Sequence, residues 1–527
     1  MTTKAKTPKS PKSLKPPNSP NSPKPSEIPT GEDAPAVAKT SPQNEADDQD
    51  DDTETLSTAI HRRDPDAIAA VCQSVLIAAP DNFIHRPWGG HDLPTFKKQS
   101  DDDATEPPPW GETFELAAHE TDAEAHAHPS RIDLPDGSTI ALPELLAIAG
   151  RELLGKPIFD AYGPNLPLLP KLLDVASLLS VQAHPPGYTE VYVIVKADTE
   201  ATLRLGFVHD ADEAMLADLF TEGRRWQSEF LALLGGNINE HAIQTILNDA
   251  FRGRGKTIGG PLLDALANLS PKSVNRHSLV RKLTALKQRY WEVLDLFNAI
   301  PAIPGQVVYN ATPTRLLADP NAIPSAEVHA LGNPEGRKLL ALEIRRPTVT
   351  YRAWDHVRFP RRPIDVDRAL GALNLRATRP EEFIVAPRPV DGLPGVFRSV
   401  EDPAFTLDHL RPTAGQPVSI PATEVAQTLH ILRGKVEVHP NNHELPVTLL
   451  RGASALVPAT LGAYQVVCIG DEPVELVRVT LRVPQDKIAD PRDKDTNPRD
   501  KVADAAQTAS RPSFLTENPV ALRFGTS

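Results

Sequence analysis

Ser180, Gln182 and His184 form the most regular polar pattern in the chain, because they alternate with one valine and one alanine. On a β-strand these three side chains would share a face. Apolar runs flank the set on both sides, so burying it without partners would be costly. After a Pro-Pro-Gly turn, Thr189 and Glu190 open a second apolar strand. The pattern predicts a β-hairpin that carries polar chemistry.

Short apolar runs separated by turn residues fill three further stretches of the chain, 76–205, 306–309 and 383–483. Runs of this length with frequent turn signals are typical of strands in sandwiches and barrels. They predict a mainly β protein.

Two other stretches predict helices. Asp64 is placed to cap a short helix with Pro65 at its first position and an apolar run ending near Ile77. In 210–299, apolar residues at three- and four-residue steps predict a helical insertion. We interpret its longest apolar stripe as a packing face rather than a binding groove. The stripe consists of Leu279, Leu283, Leu286, Tyr290, Val293 and Phe297.

Both ends of the chain lack the apolar residues that a folded core needs. Residues 1–25 contain six lysines and no acidic residue, and 45–54 contains seven acidic residues in ten positions. Near the other end, PRDK at 491–494 recurs at 498–501. We therefore predict a disordered tail at 1–55 and a flexible tail at 485–527.

Composition narrows the class of protein. The 527 residues include 54 prolines, and an internal proline costs a helix about 3 kcal/mol, which excludes a mainly helical protein. Two isolated cysteines, Cys72 and Cys468, exclude a disulfide scaffold and a multi-cysteine zinc site. The formal net charge of −13 disfavours broad contact with nucleic acid or anionic membranes. We find neither a membrane-span pattern nor a signal peptide and expect a cytoplasmic protein.

The predicted hairpin would bring the Glu190 carboxylate beside the Gln182 amide and the His184 imidazole. Nitrogen and oxygen ligands of this kind suit a divalent metal, with zinc the first choice. His329, which also lies near apolar residues, could complete four ligands. From the residues alone, the alternative is a hydrogen-bonded polar cluster inside a sandwich core.

Several different short motifs follow one another along the chain. The central one is PLLPKLLD at 167–174, which leads into LSVQAHP at 179–185. The others are RPWGG at 86–90, GETFELAAH at 111–119, TE at 189–190, PSAEVHAL at 324–331 and TYRAWD at 350–355. Together they resemble type I mannose-6-phosphate isomerases, also called phosphomannose isomerases, of the cupin superfamily. The resemblance covers roughly Val75 to Leu481.

This resemblance implies two cupin-type jelly-roll β-barrels, the first interrupted by the helical insertion. The implied division is a catalytic cupin domain at 56–209 and 300–380, the insertion at 210–299, and a C-terminal cupin-like domain at 381–484. The segments 429–438 and 450–459 look like degenerate cupin half-motifs without a metal-binding His-x-His. We therefore expect the second barrel to be structural.

The resemblance also implies roles for single residues. One zinc ion would be held by Gln182, His184, Glu190 and His329. Substrate would contact Ser180, Lys171, Arg352 and Trp88, and the catalytic residues would be Arg352, Glu343 and Lys171. Because a sugar phosphate brings a dianion into an acidic protein, local cations such as Lys171 and Arg352 are required.

The implied reaction interconverts mannose 6-phosphate and fructose 6-phosphate by moving a proton between carbons 1 and 2 through a cis-enediol. Glu343 is our candidate for acid–base catalysis. Two alternatives stay open: an isomerase of another sugar or sugar phosphate, and a catalytically silent cupin that binds metal or sugar phosphate. We expect a monomer whose partner is a small-molecule sugar phosphate.

The chain departs from the family pattern in two places. The connection between His184 and Glu190 is shorter than usual. The stretch 345–349 reads RRPTV where the family has a polar pair. The second change leaves open whether Arg346 takes over part of the role of Arg352.

Other histidines have ordinary explanations. We assign the pair His126 and His128 to a solvated, acid-rich loop rather than to a second metal site. His119 could lie at the pocket rim or in the core. His439 and His443 flank a turn and should face water.

Overall fold

The structure is a computed structural model. It describes residues 54–97, 109–120, 122–235, 239–255, 257–269, 275–311, 323–332, 335–359, 361–442 and 445–484. His443 and all but two residues of the predicted tails lie outside these ranges, so the predictions for them stay predictions.

The described α-helices range in length from about one turn to about six turns. They are α1 (Leu56–His61), α2 (Pro65–Cys72), α3 (Asp92–Phe96), α4 (Ala123–Ala127), α5 (Leu142–Leu154), α6 (Lys156–Tyr162), α7 (Glu213–Leu234), α8 (Glu240–Phe251), α9 (Gly260–Leu269), α10 (Arg276–Leu294) and α11 (Val366–Ala372).

The strands that lie before residue 355 are β1 (Leu76–Ala78), β2 (Phe83–Gly90), β3 (Trp110–Phe114), β4 (Arg131–Asp133), β5 (Thr139–Ala141), β6 (Leu169–Val175), β7 (Val181–Ala183), β8 (Glu190–Ala197), β9 (Thr202–Phe207), β10 (Phe297–Pro301), β11 (Val307–Asn310), β12 (His329–Leu331), β13 (Leu339–Arg345) and β14 (Tyr351–Trp354). The later strands are β15 (Ile384–Val385), β16 (Arg388–Pro389), β17 (Val396–Glu401), β18 (Phe405–Leu410), β19 (Val418–Ile420), β20 (Gln427–Arg433), β21 (Lys435–Pro440), β22 (Val447–Leu450), β23 (Ser454–Val457), β24 (Tyr464–Cys468) and β25 (Glu475–Leu481).

Two antiparallel sheets carry the residues of interest. One has the strand order β15-β11-β8-β13-β6-β2-β3, and the other has the order β10-β9-β12-β7-β14. Side chains from both sheets, among them Tyr192, Leu205 and Leu339, form one buried apolar cluster, so the two sheets pack on each other. Neighbouring strands bring distant parts of the chain together: Glu343 pairs with Lys171 across β13 and β6.

A second pair of sheets is built mainly from the C-terminal strands. Their orders are β16-β17-β18-β25-β20-β23-β1-β4-β5 and β19-β24-β21-β22. Strand β1 pairs with β23, where Leu76 lies opposite Leu456, so part of the segment predicted for the first domain completes the second pair of sheets. These sheets confirm the mainly β prediction, whereas the two jelly-roll barrels and the domain limits stay predictions.

The segment predicted to be helical contains α7, α8, α9 and α10. Side-chain oxygens of Asp212, Asn239 and Asn275 accept backbone hydrogen bonds at the N-termini of α7, α8 and α10. The predicted stripe on α10 is buried in an apolar cluster that also includes residues of α7 and of the five-stranded sheet, such as Phe220, Ala183 and Ala353. Its last member, Phe297, lies on β10 rather than on the helix.

The short helix predicted at Pro65 is α2. The Asp64 carboxylate accepts hydrogen bonds from the amides of Asp66 and Ala67 at 3.0 Å, as the capping prediction requires. The helix ends at Cys72, because the apolar residues from Leu76 onward form β1 instead. Across the described ranges, no helix is both long and apolar enough to cross a bilayer.

The stripe on α10 predicts a packing cost. Leu283 is fully buried, so Leu283→Ala should lower the free energy of unfolding by about 2–5 kcal/mol in a denaturant titration. Thr284 is the matched control because it is exposed on the same helix, and Thr284→Ala should change the value by no more than about 0.5 kcal/mol. Equal small effects of both variants would contradict the packing role.

Candidate functional site

Three predicted metal ligands converge between the first two sheets. His184 follows β7, Glu190 begins β8 and His329 begins β12. One ligand atom from each lies within 4.8 Å of the other two. The Nε2 atoms of His184 and His329 lie 2.7 and 3.2 Å from the two carboxylate oxygens of Glu190. All three side chains are buried.

The fourth predicted ligand, Gln182, lies opposite His329 in the pairing of β7 with β12. Its amide nitrogen is 3.0 Å from His329 Nε2. A half-turn of the amide exchanges its nitrogen for its oxygen, which is the atom that binds metals. The four predicted ligands therefore meet at one place, although the loop between His184 and Glu190 is short.

The hydrogen bonds of the two imidazoles fit a metal site. Nδ1 of His184 lies 2.9 Å from the carbonyl oxygen of Val349, and Nδ1 of His329 lies 2.9 Å from that of Glu327. Because a carbonyl only accepts, each Nδ1 carries the proton and each Nε2 presents a lone pair to Glu190. Two lone pairs and a buried carboxylate that face one another form a set of donors for a cation. This donor set suits zinc.

The protonation states agree with that fit. Burial lowers the pKa of His329, so its ring is neutral near pH 7. Although burial acts to raise it, positive charge on the side of His329 and His184 lowers the pKa of Glu190 well below its usual range, and with both rings neutral a bound cation would supply that charge. The hydroxyl of Tyr192 donates a hydrogen bond to Glu190. The site therefore contains an ionised carboxylate and neutral imidazole, the forms that bind metals.

Residues that the sequence prediction missed hold these ligands in place. Asn310 lies opposite Glu190 in the pairing of β11 with β8. Asp402, from the segment between β17 and β18, accepts hydrogen bonds from the hydroxyls of Thr189 at 2.6 Å and Tyr309 at 2.8 Å. Each of these two residues is the chain neighbour of Glu190 or Asn310. Asp402 thus fastens the two strand ends from which the site side chains project.

Lys171 and Glu343 lie next to this cluster. Lys171 Nζ is 3.9 Å from Glu343 Oε2, and Arg345 Nε is 3.7 Å from the same oxygen. Burial raises the pKa of Glu343 to about 7, against the opposing effects of Lys171 and Arg345. The Glu343 carboxyl can therefore both release and accept a proton near neutral pH.

Two further glutamates reach the same place. Glu112 lies 3.2 Å from Lys171 Nζ and forms a close ion pair with Arg86. Glu124 lies 3.3 Å from Arg86 and 3.8 Å from Lys171. Although burial acts to raise it, Lys171 and Arg86 lower the pKa of Glu124 to about 2. Arg86 and Glu112 lie within motifs that the sequence singled out, whereas nothing in the local pattern pointed to Glu124.

Glu124 belongs to α4, which corrects the loop predicted around His126 and His128. The Asp122 side chain accepts the amides of Glu124 and Ala125 at 3.0 Å, and the alanines that follow favour a helix. His126 and His128 are exposed, and within the described ranges neither joins a metal-binding group.

The predicted substrate residues Trp88 and Arg352 line the cleft, but Ser180 does not line it directly. Ser180 is buried just before β7, where its hydroxyl accepts a hydrogen bond from Arg362 Nη2 at 3.2 Å. Arg362 also lies over the Trp88 ring, 4.8 Å from its centroid. Arg352 lies opposite Gln182 on β14, and its buried Nε has no hydrogen-bond partner among the described residues. The sequence prediction missed Arg362, which follows the TYRAWD motif.

The cleft is defined by the side chains that line it: Arg86, Trp88, Glu112, Glu124, Lys171, Leu173, Leu179, Gln182, His184, Glu190, Glu343, Arg345, Thr350, Arg352 and Arg362. Arg346 is not among them, because it donates to the carbonyl of Gly187 at 3.1 Å and packs over Tyr188. Arg346 is therefore held outside the cleft that Arg352 lines.

His119 and His439 both lie outside the cleft. His119 is half-buried, and burial lowers its pKa. His439 belongs to β21, where it is half-buried and lies 3.0 Å from Glu437. His439 therefore lies just before the turn at Asn441 and Asn442 with a partly exposed side chain, in agreement with the prediction, although it belongs to a strand.

Comparison with known proteins gives weak similarities. No protein-family profile and no curated protein matches the chain. A proposed mannosephosphate isomerase from Archaeoglobus fulgidus is 17% identical, with a TM-score of 0.46 over 78% of this chain and 98% of that chain. Two mutant forms of phosphomannose isomerase from Salmonella typhimurium are 17% identical, with TM-scores of 0.47 and 0.48 over 78% of this chain and 100% of each. Similarities of this size do not establish a family.

The ligand geometry predicts a loss of zinc binding on substitution. His329→Ala should weaken zinc binding by more than the roughly 10–100-fold typical of residues outside the ligand set, measured by competition with a chromogenic chelator. His126→Ala is the matched control, because His126 is exposed and does not belong to this group. Unchanged zinc affinity in His329→Ala would contradict the assignment of the ligand.

Proposed function

We propose that this chain is a zinc-dependent aldose–ketose isomerase that interconverts mannose 6-phosphate and fructose 6-phosphate. The observation that carries the proposal is that the buried cluster of His184, Glu190 and His329 opens into the same cleft as Lys171 and Glu343. An isomerase of this kind needs a group that exchanges protons with carbon and positive charge beside the developing oxyanion. The choice of mannose 6-phosphate as substrate rests on the resemblance of the motifs to those of phosphomannose isomerases.

Glu343 is the proposed acid–base residue. As a carboxylate it takes the proton from carbon 2 of the aldose, and the electron pair of that C–H bond forms the double bond of the cis-enediol. The π electrons of the carbon 1 carbonyl move to its oxygen, which takes up a proton. Glu343 then returns its own proton to carbon 1, and the hydroxyl at carbon 2 gives up its proton as it becomes the ketone, so that one proton passes from the carbon 2 oxygen to the carbon 1 oxygen overall. A pKa of about 7 serves both halves, because the best acid–base group titrates near the working pH.

Lys171 and Arg352 are the proposed cations of the reaction. Lys171 is buried 3.9 Å from Glu343, so its ammonium would lie beside the reacting carbons and hold their oxygens. Arg352 presents a buried Nε without a partner among the described residues, which favours an incoming oxygen atom. A bound zinc ion would supply Lewis-acid stabilisation of charge on the substrate oxygens. Gln182 and the three clustered ligands would hold one such ion per chain.

The phosphate would bind at the arginine end of the cleft. Arg352 and Arg362 offer guanidinium groups, which match phosphate oxygens in pairs. Ser180 would act through Arg362 rather than by direct contact, since its hydroxyl bonds to that guanidinium. Trp88 would form the wall on which Arg362 rests.

The remaining predictions belong to the same proposal. We propose a double cupin of two jelly-roll barrels, in which the C-terminal barrel has a structural role. We also propose that the chain acts as a cytoplasmic monomer whose partner is a small-molecule sugar phosphate.

Metal removal tests the proposal. Protein treated with a chelator should lose the formation of fructose 6-phosphate from mannose 6-phosphate and regain it when one equivalent of zinc per chain is added. Turnover of another aldose phosphate alone would replace the proposed substrate. One bound zinc per chain without turnover of any hexose phosphate would favour a silent, ligand-binding protein.

The state of Glu343 predicts the pH dependence of the reaction. Because the carboxylate form is needed and burial raises its pKa to about 7, kcat/KM should rise about tenfold per pH unit below 7 and level off above it. Glu343→Gln should lower kcat by about 10²–10⁴-fold. The control Glu200→Gln alters an exposed carboxylate and should keep the activity. An unchanged kcat in Glu343→Gln would remove Glu343 from its role.

A further inference from the structure

A second cavity of about 210 Å³ lies beside the cleft, between α7 and the segment that follows β14. Its charged and polar lining includes Arg224, Gln227, Asp355, Arg358, Arg361 and Arg362. Among the residues that line the two spaces, they share only Arg362. The cavity is therefore a separate compartment that touches the cleft at one guanidinium.

The charge of this cavity is strongly positive. Four guanidinium groups line it, and Asp355 is its single carboxylate. Both oxygens of Asp355 already have partners: Arg358 Nε lies 3.1 Å from one, and Arg362 Nη2 lies 3.0 Å from the other. In a protein with a net charge of −13, this concentration of positive charge requires an explanation.

Two of the arginines have unsatisfied donors. Arg358 is buried, and its Nη1 has no hydrogen-bond partner in the described part of the chain. The same holds for Nε of Arg362. A buried donor without an acceptor costs the full desolvation of that group, and the cost is larger for a charged one. Acceptor oxygens supplied by a ligand would remove this cost.

The other two arginines stand at the entrance. Arg224 projects from α7 and Arg361 from the facing segment, and both are exposed. Neither forms an ion pair with any described residue, whereas Arg225, the neighbour of Arg224, approaches Glu222 and Glu229. Guanidinium groups on two opposing elements can grip one anion from both sides.

We propose that this cavity binds a phosphate group that is distinct from the phosphate of the substrate, carried by a small phosphorylated metabolite or present as inorganic phosphate. A phosphate offers enough acceptor oxygens for the free donors of Arg358 and Arg362, and its remaining oxygens face Arg224 and Arg361. The cavity volume suits a small metabolite rather than a polymer.

Arg362 couples this ligand to the cleft. Its Nη2 bonds to Ser180 on one side and to Asp355 on the other. An anion in the cavity competes for this guanidinium, so it raises KM for the sugar phosphate and leaves kcat unchanged. By linkage, the sugar phosphate weakens the binding of the anion to the same extent. This coupling rests on the proposed function, but the existence of the site does not.

Calorimetric titration of the zinc-loaded full chain with inorganic phosphate tests the site. The wild-type protein should bind two phosphates, one in the cleft and one in the cavity. The double variant Arg224→Ala with Arg361→Ala should lose at least about tenfold in affinity at one site and keep the other. Arg225→Ala is the matched control, because it removes an adjacent exposed arginine outside the cavity, and it should keep both sites.

A saturating amount of mannose 6-phosphate identifies the source of the phosphate. It should block one of the two sites and leave the site that the double variant lacks, with the affinity of that site lowered by the same factor by which phosphate raises KM. If it blocks both, the cavity holds the substrate's own phosphate and the proposal is wrong. A single site in the wild type that the double variant retains, or two unchanged sites in the double variant, would also overturn it, whereas a single site that the double variant loses would support the cavity and count against the phosphate site in the cleft. Absence of turnover would count against the isomerase function alone, because the binding counts do not depend on it.

Discussion

The burial of an ionised Glu190 between two imidazoles is the interaction on which the rest of the site depends. A buried carboxylate is tolerated only when positive charge compensates it. His184 and His329 approach Glu190 at 2.7 and 3.2 Å, and a metal ion bound between these neutral rings and the carboxylate would supply that charge. Because backbone carbonyls hold the Nδ1 side of each ring, the Nε2 lone pairs cannot turn away. The short strands β7 and β12 must then meet in one register, which also brings Gln182 opposite His329.

The cleft beside this cluster is a balanced set of charges rather than a simple basic pocket. Lys171 lies within 4 Å of carboxylate oxygens from Glu112, Glu124 and Glu343. The same surroundings lower the pKa of Glu124 and raise that of Glu343, because Glu343 is fully enclosed and Glu124 borders on solvent. One group is thereby fixed as an anion while the other titrates near neutrality, a separation that acid–base chemistry uses.

The part of the chain that forms the second pair of sheets holds the strands of the site through hydrogen bonds. Asp402, which belongs to that part of the chain, accepts hydrogen bonds from Thr189 and Tyr309 at the ends of β8 and β11. In the other direction, β1 from the N-terminal part extends the sheet of the C-terminal strands. Residues from each part of the chain therefore support strands of the other part. Because Asp402 contacts the ends of β8 and β11, a substitution in the C-terminal segment can alter strands that carry candidate ligands.

Local patterns in the sequence determined the mainly β character, the helices of 210–299 and α2, and the polar face at Gln182 and His184. These features arise from residues close in the chain, whose spacing is visible in the sequence. Only the tertiary structure decided that Glu124 reaches Lys171 and that Arg362 bonds to Ser180. The partners in these contacts lie 47 and 182 positions apart, so no periodic signal links them. Burial and strand register set the pKa values and the partners of these charged groups, and both depend on the whole fold.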